Sequence, residues 1–251
     1  MTGVVTGLFR YPVKGLSPDT LERVTVTAAG AFPFDRAWAI ENGPSRFDPA
    51  DPKPVPDISF LILMRDERLA ALEARFEEDT QRLVVMRNGR QVASGALSTP
   101  SGRQIIEQFF AAFMADTLRG RPKIVGGPGY YIAEGGIPCV HIVNRATLQE
   151  VERIVGRPVD PIRFRPNIIV DGPAPWAEFD WMDREIAIGP LRLKVVERTT
   201  RCAATNVDPK TGARDMDIPA ALLRKLGHMD VGVYATVATG GTLSIGDLVE
   251  T

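Results

Sequence analysis

Cysteine and histidine are scarce in this chain of 251 residues, which contains only two of each. Cys139 and Cys202 are too few for a disulfide framework, and no cysteine and histidine have the spacing of a structural zinc site. The sequence also lacks the cysteine set of an iron–sulfur cluster and the glycine fingerprint of a dinucleotide-binding fold. We therefore expect a protein of a reducing compartment. Electrons for a redox reaction would have to come from a separate protein.

Strong charge and long apolar runs are missing as well. The formal net charge is -1, so no overall field favours nucleic acid or a membrane surface as a partner. The longest apolar run, Ile58–Met64, is interrupted by Ser59 and is too short to span a bilayer. The first residues have neither the basic start nor the apolar centre of a signal peptide. These features predict a cytoplasmic protein that binds no nucleic acid and no membrane.

Apolar and polar residues alternate with a period of two through much of the chain, which predicts strands. The predicted strands cover residues 3–10, 21–27, 38–40, 58–64, 83–86, 91–93, 140–143, 168–170, 185–188, 191–196, 231–238 and 243–249. Asn88-Gly89 predicts a tight hairpin turn between two of them.

Fewer segments show helical spacing. The predicted helices cover residues 101–118 with Ser101 as the cap, a stretch from Asn144 or Thr147 to Gly156, and a stretch from Pro219 to Gly227. Residues 66–79 fit either a short helix or a strand and turn. The proline-rich residues 46–57 predict a surface loop. The glycine-rich residues 126–136 lack the lysine of a phosphate loop and indicate a connector.

The chain is long enough for one large domain or two small ones. The connector places a domain boundary near residue 120, which gives domains 1–120 and 121–251. The predicted fold is α+β and rich in strands, with a few helices between two β-rich segments.

Cys202 is the most informative residue, because cationic side chains surround it in the sequence. Arg198 and Arg201 precede it, and a turn sequence that ends at Gly212 follows it. Nearby guanidinium groups favour the thiolate, which attacks electrophiles and binds soft metals. The alternative is a small apolar residue at the end of a strand. Cys139 precedes an apolar strand, and there a place in the core is the better interpretation.

Further basic residues stand at the ends of predicted strands, far apart in the sequence. They are Lys14, Arg36, Arg163, Arg165 and Arg201. Each one alone is most simply a solvated surface charge. If their loops converge, however, they form a cationic ring around one thiolate, which suits a polyanionic cofactor.

Several motifs, in a common order, resemble the MOSC family, which is named for the C-terminal domain of molybdenum cofactor sulfurase. The similar stretches are Tyr11–Gly15, Asp35–Trp38, Phe164–Asn167, Arg201–Gly212 and Leu243–Val249. The likeness is greatest to the branch of the amidoxime-reducing components. It implies an N-terminal β-barrel-like domain followed by a MOSC β-barrel, with helices between them.

The resemblance also implies a molybdenum–pterin cofactor (molybdenum–molybdopterin) whose metal is bound by one protein cysteine. Cys202 matches that cysteine, both as the catalytic residue and as the metal ligand. By the same matching, the residues expected to hold the cofactor are Lys14, Gly15, Arg36, Asn144, Arg165, Asn167, Thr200, Arg201 and Tyr234. The chain departs from many relatives at Gly15, where serine is common, and at Thr205-Asn206, where two threonines are common.

The activity implied by the resemblance is the reduction of small N-hydroxylated compounds by oxygen-atom transfer, with electrons from a separate reductase. The alternative within the family is a sulfur carrier that holds a persulfide on Cys202 for metal–sulfur assembly. A cysteine hydrolase that pairs Cys202 with His141 or His228 is a third hypothesis. Neither histidine has a recognisable nucleophile context, which disfavours it.

Overall fold

The computed structural model describes residues 2–44, 47–48, 50, 55–133 and 136–251. The first strands are β1 (Thr2–Arg10), β2 (Asp19–Leu21), β3 (Arg23–Val26), β4 (Trp38–Ile40), β5 (Glu73–Glu77), β6 (Arg82–Arg87), β7 (Arg90–Ala96) and β8 (Ile124–Gly126). The later strands are β9 (Val140–Asn144), β10 (Ile168–Asp171), β11 (Glu185–Ile188), β12 (Leu191–Thr200), β13 (Asp230–Thr239), β14 (Gly241–Ser244) and β15 (Leu248–Glu250).

Three α-helices and several single turns of 3-10 helix connect these strands. The α-helices are α1 (Pro100–Phe113), α2 (Arg145–Val155) and α3 (Ile218–Leu226). The 3-10 turns are Asp57–Ser59, Glu67–Ala71, Pro161–Phe164, Ala177–Trp181 and Ala203–Asn206. Among the residues placed in the structure, no helix is both long enough and apolar enough to cross a membrane.

Seven strands close into a barrel in the order β10-β9-β13-β12-β11-β15-β1, because β1 pairs with β10. The β9–β10 pair is parallel, and α2 lies between these two strands in the sequence. Alternate side chains of the barrel strands point inward and form one core cluster, which includes Ile142, Leu193 and Val233. The β-rich fold class is confirmed, and β1 adds an N-terminal strand to a barrel otherwise made of C-terminal ones.

The N-terminal elements from β4 to β8, with helix α1, form a separate core. Sheet β5-β6-β7 packs against α1, which buries Ile106, Phe110 and Met114 at helical spacing. Gly95 and Gly102 lie so close across this contact that an added Cβ at either would collide with backbone. Strand β4 pairs with β8 and carries the fully buried Trp38 into the same core.

The hairpin at Asn88-Gly89 and the glycine helix ends at Gly156 and Gly227 are confirmed, both helix ends with positive φ. The predicted strand over residues 58–64 is wrong. Only Phe60 makes a β-bridge there, and the chain then turns because the Asp66 carboxylate accepts the backbone N–H of Ile62 at 3.1 Å. A local side-chain bond of this kind competes with sheet pairing.

Three other predictions change in detail. Residues 66–79 divide into the 3-10 turn and β5, as in the strand-and-turn alternative. Helix α1 is capped by Thr99 rather than Ser101, since Thr99 Oγ1 accepts the N–H of Gly102 at 3.1 Å, and it ends at Phe113. A turn at Gly246 divides the predicted strand 243–249. Much of the predicted loop 46–57 and part of the connector 126–136 lie outside the described residues.

Candidate functional site

A cavity of about 360 Å³ lies where the end of β12 meets the loops that follow β1 and precede β10. Eight of the predicted site residues line it: Lys14, Gly15, Arg36, Arg165, Thr200, Arg201, Cys202 and Tyr234. The other lining residues that the structure describes are Asp57, Ile62, Leu63, Met64, Ala133, His141, Arg163, Phe164, Thr199, Ala204 and Thr205. The fold thus brings distant segments of the sequence to one place.

Cys202 is an exposed free thiol at this cavity. It stands after β12 and begins the 3-10 turn Ala203–Asn206. The backbone N–H and the hydroxyl of Thr205 both donate to the Cys202 carbonyl, at 3.1 and 2.9 Å. These bonds fix the backbone of the cysteine and leave its sulfur at the surface of the cavity. The alternative of a thiol buried in the core does not fit this position.

Arg201 is buried beside this thiol, and its guanidinium bonds to the protein itself. Nε donates to Val231 O at 2.9 Å, and Nη1 donates to Phe164 O at 3.1 Å. Nη2 lies against both Val231 O and His141 Nε2. Burial lowers the pKa of Arg201 to about 10, so it remains a cation at neutral pH. Its contribution to the cavity is mainly its charge.

His141 supports Arg201 from the barrel side. A guanidinium only donates, so His141 Nε2, at 2.5 Å from Arg201 Nη2, must accept. The proton then belongs on Nδ1, which lies 3.2 Å from Arg165 O and donates to it. Burial and, next, the charge of Arg201 hold the pKa of His141 well below its ordinary value. This residue is therefore a neutral connector between two arginine segments.

Arg36 and Arg165 both contact one aromatic ring. Their guanidinium carbons lie 4.7 and 4.1 Å from the centroid of Tyr11, which is fully buried. Arg36 pairs with the neighbouring Asp35, whereas Arg165 has no carboxylate partner in the described part of the chain. Burial lowers the pKa of Arg165 to about 10. Both arginines have positive φ, near +50°, an unusual conformation for a side chain of this size.

Asn167 holds this arrangement together without lining the cavity. Its amide donates to Phe9 O at 3.1 Å, and its oxygen accepts from Arg36 Nη1 at 3.2 Å and from the His141 backbone N–H at 3.1 Å. Asn167 thereby links β1, the loop before β4, and β9. The structure places it one layer behind the cavity surface, as a residue that positions Arg36.

Asn144 was expected to hold the cofactor, but the structure does not bring it to the cavity. It caps α2, since its oxygen accepts the N–H of Ala146 at 3.1 Å. Its amide donates to Ala174 O at 2.7 Å and to Glu178 at 3.1 Å. Every polar atom of the side chain is thus bonded inside the protein, where Asn144 is fully buried. Its role in this structure is helix capping.

Tyr234 and Thr200 occupy the β12–β13 side of the cavity. The Tyr234 ring lies 5.2 Å from that of His141, and burial raises the pKa of its phenol above the ordinary value. The hydroxyl of Thr200 donates to Asp230 at 2.7 Å. The neighbouring Thr199 has a buried hydroxyl with no hydrogen-bond partner among the residues that the structure describes.

Arg163 fixes the turn that carries the thiol and was not among the predicted cofactor ligands. Its side chain is 2% exposed, and Nη2 pairs with Asp208 at 3.2 Å and Asp215 at 2.8 Å. Nη1 donates to Thr205 O at 3.3 Å. These contacts clamp the loop after Cys202 onto the 3-10 turn. Arg163 stands directly before the stretch Phe164–Asn167 in the sequence. Its hydrogen-bond partners lie more than 40 residues away along the chain, so only the fold shows this role.

The residues present fit an anionic group. Arg165 Nη2 and Thr199 Oγ1 are buried at the cavity without a hydrogen-bond partner in the described structure. A buried unpartnered donor is costly unless a ligand satisfies it. Arg165 and Arg201 also bring two guanidinium charges that no described carboxylate neutralises. A phosphate beside them would supply both the acceptors and the counter-charge, and an exposed thiolate would supply a soft ligand to a metal.

Comparison with known proteins agrees with this arrangement. Residues 2–116 match the MOSC N-terminal beta barrel domain, and residues 136–250 match the MOSC domain. The chain belongs to the MOSC family. Its fold therefore combines the two MOSC modules in one polypeptide, with the cavity at the place where segments of both meet.

Curated relatives of this MOSC protein fall into two groups. Mitochondrial amidoxime-reducing component 1 of Mus musculus is 25% identical over 98% of this chain and 81% of its own length. Molybdenum cofactor sulfurase of Caenorhabditis elegans is 36% identical over 92% of this chain but only 33% of its own length. Among solved structures, the YUAD protein from Bacillus subtilis is 13% identical, with a TM-score of 0.45 over 100% of this chain and 95% of that one.

Proposed function

We propose that this protein binds a molybdenum–pterin cofactor through Cys202 and reduces small N-hydroxylated compounds. One observation carries the proposal: an exposed thiol opens onto a cavity with two buried guanidinium groups, Arg165 and Arg201, that have no carboxylate partner among the described residues. Such a cavity needs an anionic ligand, and its thiol suits a soft metal. The similarity to a protein named as an amidoxime-reducing component supports this substrate class.

The chain's own residues have distinct tasks in this proposal. Arg165 Nη2 and Thr199 Oγ1 would bond to the anionic part of the cofactor, and Arg201 would place its positive charge beside the metal-binding Cys202. Arg163 keeps the turn of the cysteine in place. When bound, the cofactor supplies two-electron oxygen-atom transfer chemistry.

The overall reaction would break the N–O bond of a hydroxylamine or amidoxime. A hydrogen replaces the hydroxyl on the nitrogen, and the oxygen leaves as water. The reaction takes up two protons and two electrons. A separate electron-donor protein would supply the electrons. The apolar side chains of Leu63 and Met64 line the same cavity and would contact the organic part of the substrate.

A sulfur carrier is the second candidate, favoured by the exposure of Cys202 and the similarity to molybdenum cofactor sulfurases. In that case Cys202 would carry a persulfide and no metal. Intact-protein mass spectrometry under non-reducing conditions separates the candidates. An added mass of one sulfur atom on metal-free protein supports the carrier.

Metal analysis of the full chain, purified from a host that makes the cofactor, tests the main proposal. We expect stoichiometric molybdenum in the wild type and its loss in Cys202→Ser. Cys139→Ser is the matched control, since Cys139 lies against Tyr131 with the sulfur 3.3 Å from the hydroxyl and does not line the cavity in the described structure. Benzamidoxime reduction with an artificial electron donor should follow the metal content. Molybdenum unaffected by Cys202→Ser would refute the assignment.

A further inference from the structure

The cavity contains a carboxylate among its basic residues. Asp57 is the only acidic residue among the lining residues that the structure describes. Its Oδ1 lies 2.7 Å from the Nζ of Lys14, whose side chain is 11% exposed. Lys14 Nζ also donates to Ile132 O at 3.2 Å. The charge of Lys14 is thus already neutralised from within the protein.

The fold prepares this ion pair by fixing both partners to one strand. The backbone N–H of Lys14 donates to Trp38 O at 2.8 Å, at the start of β4. The N–H of Leu61 donates to Ile40 O, also at 2.8 Å, at the end of the same strand. Asp57 begins the 3-10 turn immediately before this second attachment. The pair therefore does not depend on two freely moving surface side chains.

Gly15 lets these two segments approach. It has φ +87°, and a Cβ added there would lie 2.5 Å from Leu61 O. A residue with a side chain at position 15 would push the segment of Asp57 away from Lys14. The absence of a side chain at Gly15 is thus linked to the close placement of Asp57.

The basic groups of the cavity consequently differ in what they offer an anion. Arg165 and Arg201 present charge without a carboxylate, and Arg165 Nη2 is unpartnered. Lys14 presents charge only after Asp57 has been displaced. Breaking a partly buried ion pair opposes binding, so an anion that engages Lys14 alone gains little.

We propose that Asp57 is an internal occupant of the Lys14 anion position, which an incoming ligand must displace. This contact keeps a small anion away from Lys14, because such an anion would have to replace the carboxylate without further compensation. A larger polyanion that also engages Arg165 compensates for the displacement. The inference rests on the proposed function only for the identity of the natural ligand, not for the competition itself.

Sulfate binding to the cofactor-free full chain, measured by isothermal titration calorimetry, tests this competition. Sulfate keeps a constant charge near neutral pH, so its own protonation does not enter. We expect Asp57→Asn to tighten sulfate binding by about 5-fold relative to the wild type. Asp57→Ala should also tighten sulfate binding. This result would show that the effect does not come from the amide group introduced by Asp57→Asn.

Glu67→Gln is the matched control for net charge. Glu67 lies near the cavity but pairs with Arg214 at 3.1 Å and is not among the described lining residues. It should leave sulfate affinity unchanged. In a Lys14→Met background, Asp57→Asn should have a smaller effect, since only the repulsion between the carboxylate and sulfate then remains to be removed.

Three results would overturn the inference: no tightening in either Asp57 variant, equal tightening in Glu67→Gln, or a full Asp57 effect that persists without Lys14. These outcomes are independent of the metal assignment. Cys202→Ser should bind sulfate like the wild type, whereas the molybdenum analysis depends on that thiol. The competition can therefore fail while the cofactor proposal stands, and the reverse also holds.

Discussion

His141 should make the cofactor-free protein sensitive to mild acid. In the folded state it stays neutral, because burial and the Arg201 guanidinium hold its pKa well below the ordinary value. In the unfolded chain it takes up a proton near pH 6.5. The unfolded state therefore binds more protons below that pH, and the free energy of unfolding falls as the pH falls. The sign is opposite to that of a histidine stabilised by a carboxylate.

The size of the effect follows from the proton linkage. Each pH unit below about 6.5 costs about 1.4 kcal/mol for one proton excluded from the folded state. Between pH 7.5 and 5.0 the contribution of His141 should reach about 2 kcal/mol. Carboxyl groups also titrate toward the lower end of this range, so the comparison must be made with a variant that differs only at this ring.

Urea denaturation at both pH values supplies the assay. His141→Gln can still accept a hydrogen bond from Arg201 but cannot be protonated, so its unfolding free energy should depend less on pH, by about 2 kcal/mol over the interval. His228→Gln removes the other histidine, with a side chain 34% exposed, and should follow the wild type. Parallel pH profiles for wild type and His141→Gln would refute the assignment of a neutral, buried ring.

Other substitutions test separate parts of the structure. Arg165→Met should weaken sulfate binding in calorimetry by about 10-fold, because it removes an unpartnered donor and its charge. Gly15→Ala should lower the unfolding free energy in urea by about 1–3 kcal/mol, more than Gly89→Ala, since both have positive φ but nothing lies within 4 Å of Gly89. Phe110→Ala should cost about 3–5 kcal/mol in the same assay, because its ring is fully buried between α1 and the sheet.

Local patterns predicted the elements well where one face of a strand or helix is buried. The hairpin around Asn88-Gly89 and the stop of α2 at Gly156 follow from turn chemistry that acts over a few residues. The prediction of a strand after Ile58 was wrong because an apolar run indicates burial but does not show that the segment pairs with another strand. There the Asp66 carboxylate captures a backbone N–H and turns the chain, a contact that alternation does not reveal.

The candidate site was predictable as a set of residues but not as a set of contacts. Lys14, Arg165 and Cys202 stand in separate motifs of the sequence. The family resemblance predicted that these motifs meet, and all three residues line the cavity. Asp57 carries no such signal, because it follows a proline-rich stretch that resembles an ordinary surface loop. His141 likewise stands in an apolar strand, where its neighbours along the chain give no sign of an arginine partner.

Arg201 shows why a motif predicts a position more reliably than a task. Resemblance implies that it holds the cofactor, and it does line the cavity beside Cys202. Yet its donors bond to Val231 O, Phe164 O and His141 Nε2, so little hydrogen-bonding capacity remains for a ligand. A guanidinium committed in this way still adds a positive charge to the cavity, since an electrostatic interaction with a bound anion needs proximity but no direct bond. Arg165, in contrast, retains a donor without a partner in the described structure, and this difference is set by long-range packing that no local sequence pattern contains.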